Sequence, residues 1–114
     1  MVIGEETKIQ ICLCNWLKQL HPEWPFIHIA NERTCSIQQG ALLKKMGVRR
    51  GVSDLFFPKS NVLYHGMWLE LKSKSGKLTE HQIKFLQDMR DLGYEARAAW
   101  GFDEAIDIIQ RFYK

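Results

Sequence analysis

Gly51-Val52-Ser53-Asp54-Leu55-Phe56-Phe57-Pro58, followed by Met67-Trp68-Leu69-Glu70-Leu71-Lys72, is the part of the chain that decides its fold. Asp54 to Phe57 reads as a buried strand, stopped by Pro58. Proline cannot donate to a ladder, so it belongs at a strand end. Ser60 and Asn61 then supply turn chemistry. Met67 to Lys72 reads as a second strand. Its two-residue period places Trp68, Glu70 and Lys72 on one face and Met67, Leu69 and Leu71 on the other. A hairpin of these two strands brings Asp54 and Glu70 toward one point.

Outward from this hairpin, the pattern alternates between helix and strand. Ile9, Leu13, Trp16, Leu17 and Leu20 recur at helical spacing and predict a helix from Glu5 to Leu20. Glu5 and Glu6 suit its N-terminus, and His21-Pro22 ends it. Phe26 to Ala30 reads as a short strand, and residues 36–46 as a short helix stopped at Gly47. Beyond a polar loop, Thr79 and Gln82 have capping-box spacing and open a helix that ends at Gly93. Its expected apolar side is Ile83, Leu86 and Met89. Glu95 to Trp100 reads as a strand. A last helix, 103–112, turns Ile106, Ile109 and Phe112 inward. This order predicts an α/β fold, a small mixed sheet flanked by helices. Residues 1–114 are expected to form a single domain.

The chain has 114 residues, 46% of them hydrophobic, enough for one core and too many for a disordered chain. No apolar run is long enough to span a bilayer. The first residues lack the pattern of a signal peptide, so the expectation is an intracellular protein with no membrane partner. Cys12, Cys14 and Cys35 make no paired framework and are expected to be reduced thiols. The net charge of +3 is unevenly spread. Residues 44–77 hold Lys44, Lys45, Arg49, Arg50, Lys59, Lys72, Lys74 and Lys77 against two acids, Asp54 and Glu70. Eight cations and two anions make that segment +6, which leaves −3 for the rest. Such a concentration suits a polyanion partner, although a solvated basic face has the same composition. Lys44, Lys45, Arg49, Arg50, Lys74 and Lys77 are the candidate nucleic-acid contacts.

The two acids inside this basic segment carry the chemistry. Asp54 and Glu70 offer hard oxygen ligands suited to Mg²⁺ or Mn²⁺. Lys72, two residues further along the strand, is placed to orient a water and to stabilise a developing anion. No small-molecule cofactor is expected. The same residues admit a plainer reading: Glu70 and Lys72 as an exposed ion pair, and Asp54 as a turn cap after Gly51.

Taken together, Gly51-Val52-Ser53-Asp54-Leu55, Trp68-Leu69-Glu70-Leu71-Lys72 and Leu78-Thr79-Glu80-His81-Gln82 resemble the VRR-Nuc (virus-type replication-repair nuclease) family of the PD-(D/E)XK nuclease superfamily. The resemblance runs from Glu6 to Ala105. It implies a PD-(D/E)XK restriction-endonuclease-like core and metal-dependent phosphodiester hydrolysis. By the resemblance, Asp54 and Glu70 are metal ligands, with the backbone carbonyl of Leu71 another, and Lys72 is the catalytic lysine. Glu6 corresponds to an acid near the metal, Gln10 to a glutamine one turn on, and Gln82 to a catalytic-site glutamine. Ser53 departs from the proline usual before the aspartate, a change in loop rigidity and not in ligands.

Plainer roles remain for several of these residues. Gln82 also suits a capping box and Glu6 a helix dipole. His28, His65 and His81 do not cluster with the carboxylates in sequence and read as structural. Asn31, Glu32 and Arg33 follow the first strand and are secondary candidates for facing DNA. Trp16, Trp68 and Trp100 read as core or interface. The expected function is a Mg²⁺- or Mn²⁺-dependent DNA endonuclease acting on branched or structured DNA, in particular a Holliday junction resolvase. The alternatives are an inactive nucleic-acid-binding accessory on the same fold, or an RNA-directed nuclease. Paired cuts across a four-way junction imply a homodimer, for which Trp24, Phe102 and Tyr113 are candidate surface aromatics.

Overall fold

The computed structural model describes residues 3–30 and 36–114. Its elements are α1 (Glu5–Leu20), β1 (Ile27–His28), α2 (Ile37–Lys45), β2 (Leu55–Phe57), β3 (Met67–Lys72), α3 (Glu80–Asp91), β4 (Glu95–Trp100) and α4 (Phe102–Tyr113). The four strands form one mixed sheet in the order β1-β2-β3-β4. β1 with β2 and β2 with β3 are antiparallel, whereas β3 and β4 are parallel, joined by α3 as the crossover. The expected α/β fold with a small mixed sheet is therefore present. Asn31, Glu32, Arg33 and Cys35 lie outside the described residues.

The sheet has two differently covered faces. Leu55 and Phe57 of β2 stand opposite Leu69 and Met67 of β3. With Leu71 they join Ile9, Leu13 and Leu17 of α1 and Ile108, Ile109 and Phe112 of α4 in the main core. On the other face Phe56 stacks on Trp68 at 4.3 Å between centroids, and Trp68 meets Phe85 of α3 edge-on at 5.0 Å. The sidedness predicted for β3 is thus the observed one. Glu70 and Lys72 share the α3 face with Trp68.

Three expected placements are corrected. Leu20 lies on the exposed side of α1, because its terminal turn runs past the core. On α3 the buried positions are Phe85 and Leu86, while Ile83 is half exposed, because the helix turns Phe85 toward Trp68. Trp24 belongs to the core, stacked between His21 at 4.0 Å and Tyr113 at 5.2 Å, and Phe102 and Tyr113 pack partly buried against it. These aromatics do not supply a free apolar surface. By contrast, α2 buries none of its residues, although Ser36 and Gln39 cap it reciprocally. β1 is two residues long, shorter than expected, and both are exposed.

Candidate active site

The antiparallel ladder between β2 and β3 pairs Leu55 with Leu69. One step beyond it, the same register sets Asp54 across from Glu70. Both side chains are buried, at 3% and 2% exposure, and Lys72 is at 7%. Charged groups so deep require partners, since leaving an ion unpaired in the interior is costly. Asp54 Oδ2 accepts a hydrogen bond from the Leu71 N–H at 2.7 Å. The main chain of β3 therefore holds the aspartate that precedes β2. Glu70 Oε2 accepts from Gln82 Nε2 at 3.0 Å. The Lys72 stem runs beside the following loop, where a Cβ added at Gly76 would come within 3.4 Å of its Cδ.

Gln82 forms the expected capping box and also reaches Glu70. Its Oε1 accepts from the Thr79 N–H at 2.9 Å, while its own N–H donates to Thr79 Oγ1 at 3.2 Å, which completes the capping box. The amide nitrogen left over reaches Glu70. One side chain thus ties the first turn of α3 to the centre of β3. Gly51 serves the other side of this junction. Its φ is +81°, and an added Cβ would lie 2.4 Å from the backbone carbon of His81. Only glycine lets the loop before Asp54 pass so close to α3.

A cleft lined by Glu6, Thr7, Gln10, Asp54 and Leu71 opens at this end of the sheet. The structure thereby brings Glu6 and Gln10 of α1 to the aspartate, and it adds Thr7, which the sequence had not singled out. His28 also belongs here. Its Nδ1 lies 3.0 Å from the Asp54 carbonyl oxygen and 2.9 Å from Gln10 Nε2. In sequence it gave no signal, because Gln10 and His28 are 18 positions apart and His28 and Asp54 are 26 apart. His65 and His81 take no part: His65 packs on Tyr94 at 5.5 Å, and His81 contributes backbone beside Gly51.

The donor set of two buried carboxylates and the neighbouring main chain is made of hard oxygens. Among the described residues no three His, Cys, Asp or Glu side chains form a closed cage. Glu6 lines the cleft without completing one. Two carboxylates with open positions fit magnesium, which keeps several waters and takes further oxygens from phosphate.

The VRR-NUC domain profile matches residues 4–103. The chain belongs to the VRR-NUC family. A solved structure named as a VRR_NUC domain protein is similar to it throughout, with a TM-score of 0.83 and 25% identity over 98% of this chain and 90% of that one. No curated protein matches significantly. As a VRR-NUC domain the chain is nuclease-type, with DNA the implied substrate. No helix among the described residues is long and apolar enough to cross a membrane. Where this family usually has proline, the VRR-NUC domain here buries Ser53 fully, and its Oγ has no hydrogen-bond partner among the described residues.

The basic residues fall into two groups. Lys44, Lys45, Arg50, Lys74 and Lys77 are exposed. Arg49 is engaged within the domain: its Nη2 donates to Asp88 Oδ2 at 2.6 Å, and its guanidinium lies 5.2 Å from the Phe85 ring centroid. The hydrogen bonds from Lys84 and then Arg49 hold the Asp88 carboxyl below its ordinary range.

Proposed function

We propose that this VRR-NUC domain is a Mg²⁺- or Mn²⁺-dependent endonuclease that hydrolyses phosphodiester bonds in branched DNA, with the four-way Holliday junction as its target. What carries the reading is one observation: Asp54, just before β2, and Glu70, on the neighbouring β3, are both buried, with Lys72 on the face of Glu70. Asp54, Glu70 and the Leu71 carbonyl would hold the cation, with Glu6 approaching from α1. A divalent cation bound there supplies Lewis-acid polarisation and a lowered pKa for its bound water. Lys72 orients the attacking water and stabilises charge on the phosphoryl oxygens. Gln82 fixes the Glu70 carboxylate from the first turn of α3. Lys44, Lys45, Arg50, Lys74 and Lys77 attract the backbone of the substrate.

Cutting a junction on two opposed strands takes two active sites, which a two-fold dimer of this chain supplies. The test is incubation of labelled four-way junction, linear duplex and structured RNA with Mg²⁺, Mn²⁺ or excess chelator, with sedimentation run alongside. Junction cleavage in paired positions, dependent on metal, is the expected result. Cleavage that persists in chelator would overturn the metal assignment. Binding without cleavage by any metal would point to a non-catalytic accessory, and a preference for RNA would replace the substrate.

A further inference from the structure

We infer that His28 is a positioning residue for Asp54, acting through the aspartate's backbone carbonyl. The inference rests on Asp54 being a metal ligand, as proposed above. Asp54 lies just before β2, and its only neighbouring strand on the outer side is β1, two residues long and exposed. So short an edge holds the start of β2 weakly. The Asp54 carbonyl takes one ladder-like hydrogen bond from the Ile29 N–H at 2.9 Å. The His28 ring adds a second contact to the same oxygen, at 3.0 Å from Nδ1. A carbonyl oxygen has two lone pairs, so both are used.

The same Nδ1 faces the Gln10 amide at 2.9 Å. A single ring nitrogen cannot accept from Gln10 and donate to Asp54 at once. The ends of an amide are interchangeable in shape. A proton on Nδ1 serves both neighbours when Gln10 presents its oxygen. Read so, one donor bridges α1, which carries Glu6 and Gln10, to the strand end that carries Asp54. His28 then sets the distance between the two walls of the cleft. It contacts the Gln10 side chain and the Asp54 main chain but does not itself line the cleft, so its effect on the site is indirect.

Partners that orient a metal ligand commonly change metal affinity about 10–100-fold when removed. His28 works through main chain, so the lower end, about tenfold, is expected. The test compares His28→Ala, His28→Asn and His28→Gln in the full chain. Asparagine places its amide nitrogen near the position of Nδ1, whereas glutamine places it near Nε2. Three quantities are read: Mn²⁺ affinity by titration, the kcat and KM of cleavage, and melting temperature. His28→Ala and His28→Gln should each weaken Mn²⁺ binding about tenfold and lower kcat more than they raise KM. His28→Asn should restore both, with all three variants melting near wild type. If His28→Ala is unstable, the contrast between the asparagine and glutamine variants decides. Asp54→Ala is the control. If it removes Mn²⁺ binding while all three His28 variants bind like wild type, this inference falls and the metal reading stands. If Asp54→Ala binds Mn²⁺ like wild type, both fall. Equal losses in all three variants, matched by lower melting temperatures, would reduce His28 to a structural contact and overturn the inference.

Discussion

β3 and β1 belong to one sheet and are held in opposite ways. β3 has six residues, a neighbour on each side, and every position but Trp68 buried. β1 has two exposed residues and one neighbour. The difference follows from composition. Met67, Leu69 and Leu71 give β3 a complete apolar face for α1 and α4 to cover, and its other face is sealed by Phe56 and Phe85. β1 and α2, the next element in sequence, offer no comparable stripe, and α2 buries nothing. The candidate pair Glu70 and Lys72 sits on the strand that the core fixes hardest. Asp54 sits where the well-packed centre meets the weakly packed edge, held by the Leu71 and Ile29 N–H groups and by the His28 ring. Rigid placement of charged groups needs a core behind them, whereas contact with a long polyanion needs only exposed charge, which the periphery provides.

This contrast can be broken most decisively at its centre. Asp54→Ala, Glu70→Ala and Lys72→Ala should each lower cleavage by about a hundredfold or more, as loss of one preorganised group commonly does. Circular dichroism should report a retained fold. Near wild-type rates in all three would remove the site from this end of the sheet. Next in size is Gly51→Ala. A side chain at φ +81° against the His81 backbone should cost roughly 1–3 kcal/mol, read as a lower melting midpoint, and should displace Asp54 enough to slow cleavage.

Gln82→Ala sharpens the comparison at the α3 junction. It removes the hydrogen bond to Glu70 and half of the capping box. Stability should fall by about 1 kcal/mol, and kcat by about tenfold, with DNA affinity unchanged. A kcat equal to wild type would leave Gln82 as a cap alone. The smallest effects belong to the periphery. Lys44→Ala with Lys45→Ala should leave kcat intact and flatten the dependence of log affinity on log salt by roughly 0.9 for each phosphate that is no longer neutralised. Arg49→Ala should leave that slope unchanged and slightly lower the melting temperature, because Arg49 is paired with Asp88. A reversed outcome would mean that Arg49 leaves Asp88 for the substrate.

Much of the architecture is legible in the order of residues. The bounds of α1, the capping box of Thr79 and Gln82, and the span of β3 follow from signals carried within a few residues: period, caps and stops. Other readings failed for one physical reason. Ile83 and Phe85 are both apolar on α3, and only the position of Trp68 selects Phe85. Trp24 looks like spare surface among so many aromatics, and only α4 arriving with Tyr113 encloses it.

By itself, then, the sequence determined the order of helices and strands and the two faces of β3, and it nominated Asp54, Glu70 and Lys72 as the candidate set, because these depend on spacing along the chain. The tertiary structure alone decided that Glu6, Thr7 and Gln10 share a cleft with Asp54, that Gln82 reaches Glu70, that Arg49 is held by Asp88, and that His28 stands behind the Asp54 carbonyl. Those contacts join residues from different elements. Periodicity reports which side of an element is apolar, but which neighbour covers it is set only when the sheet pairs and the helices pack.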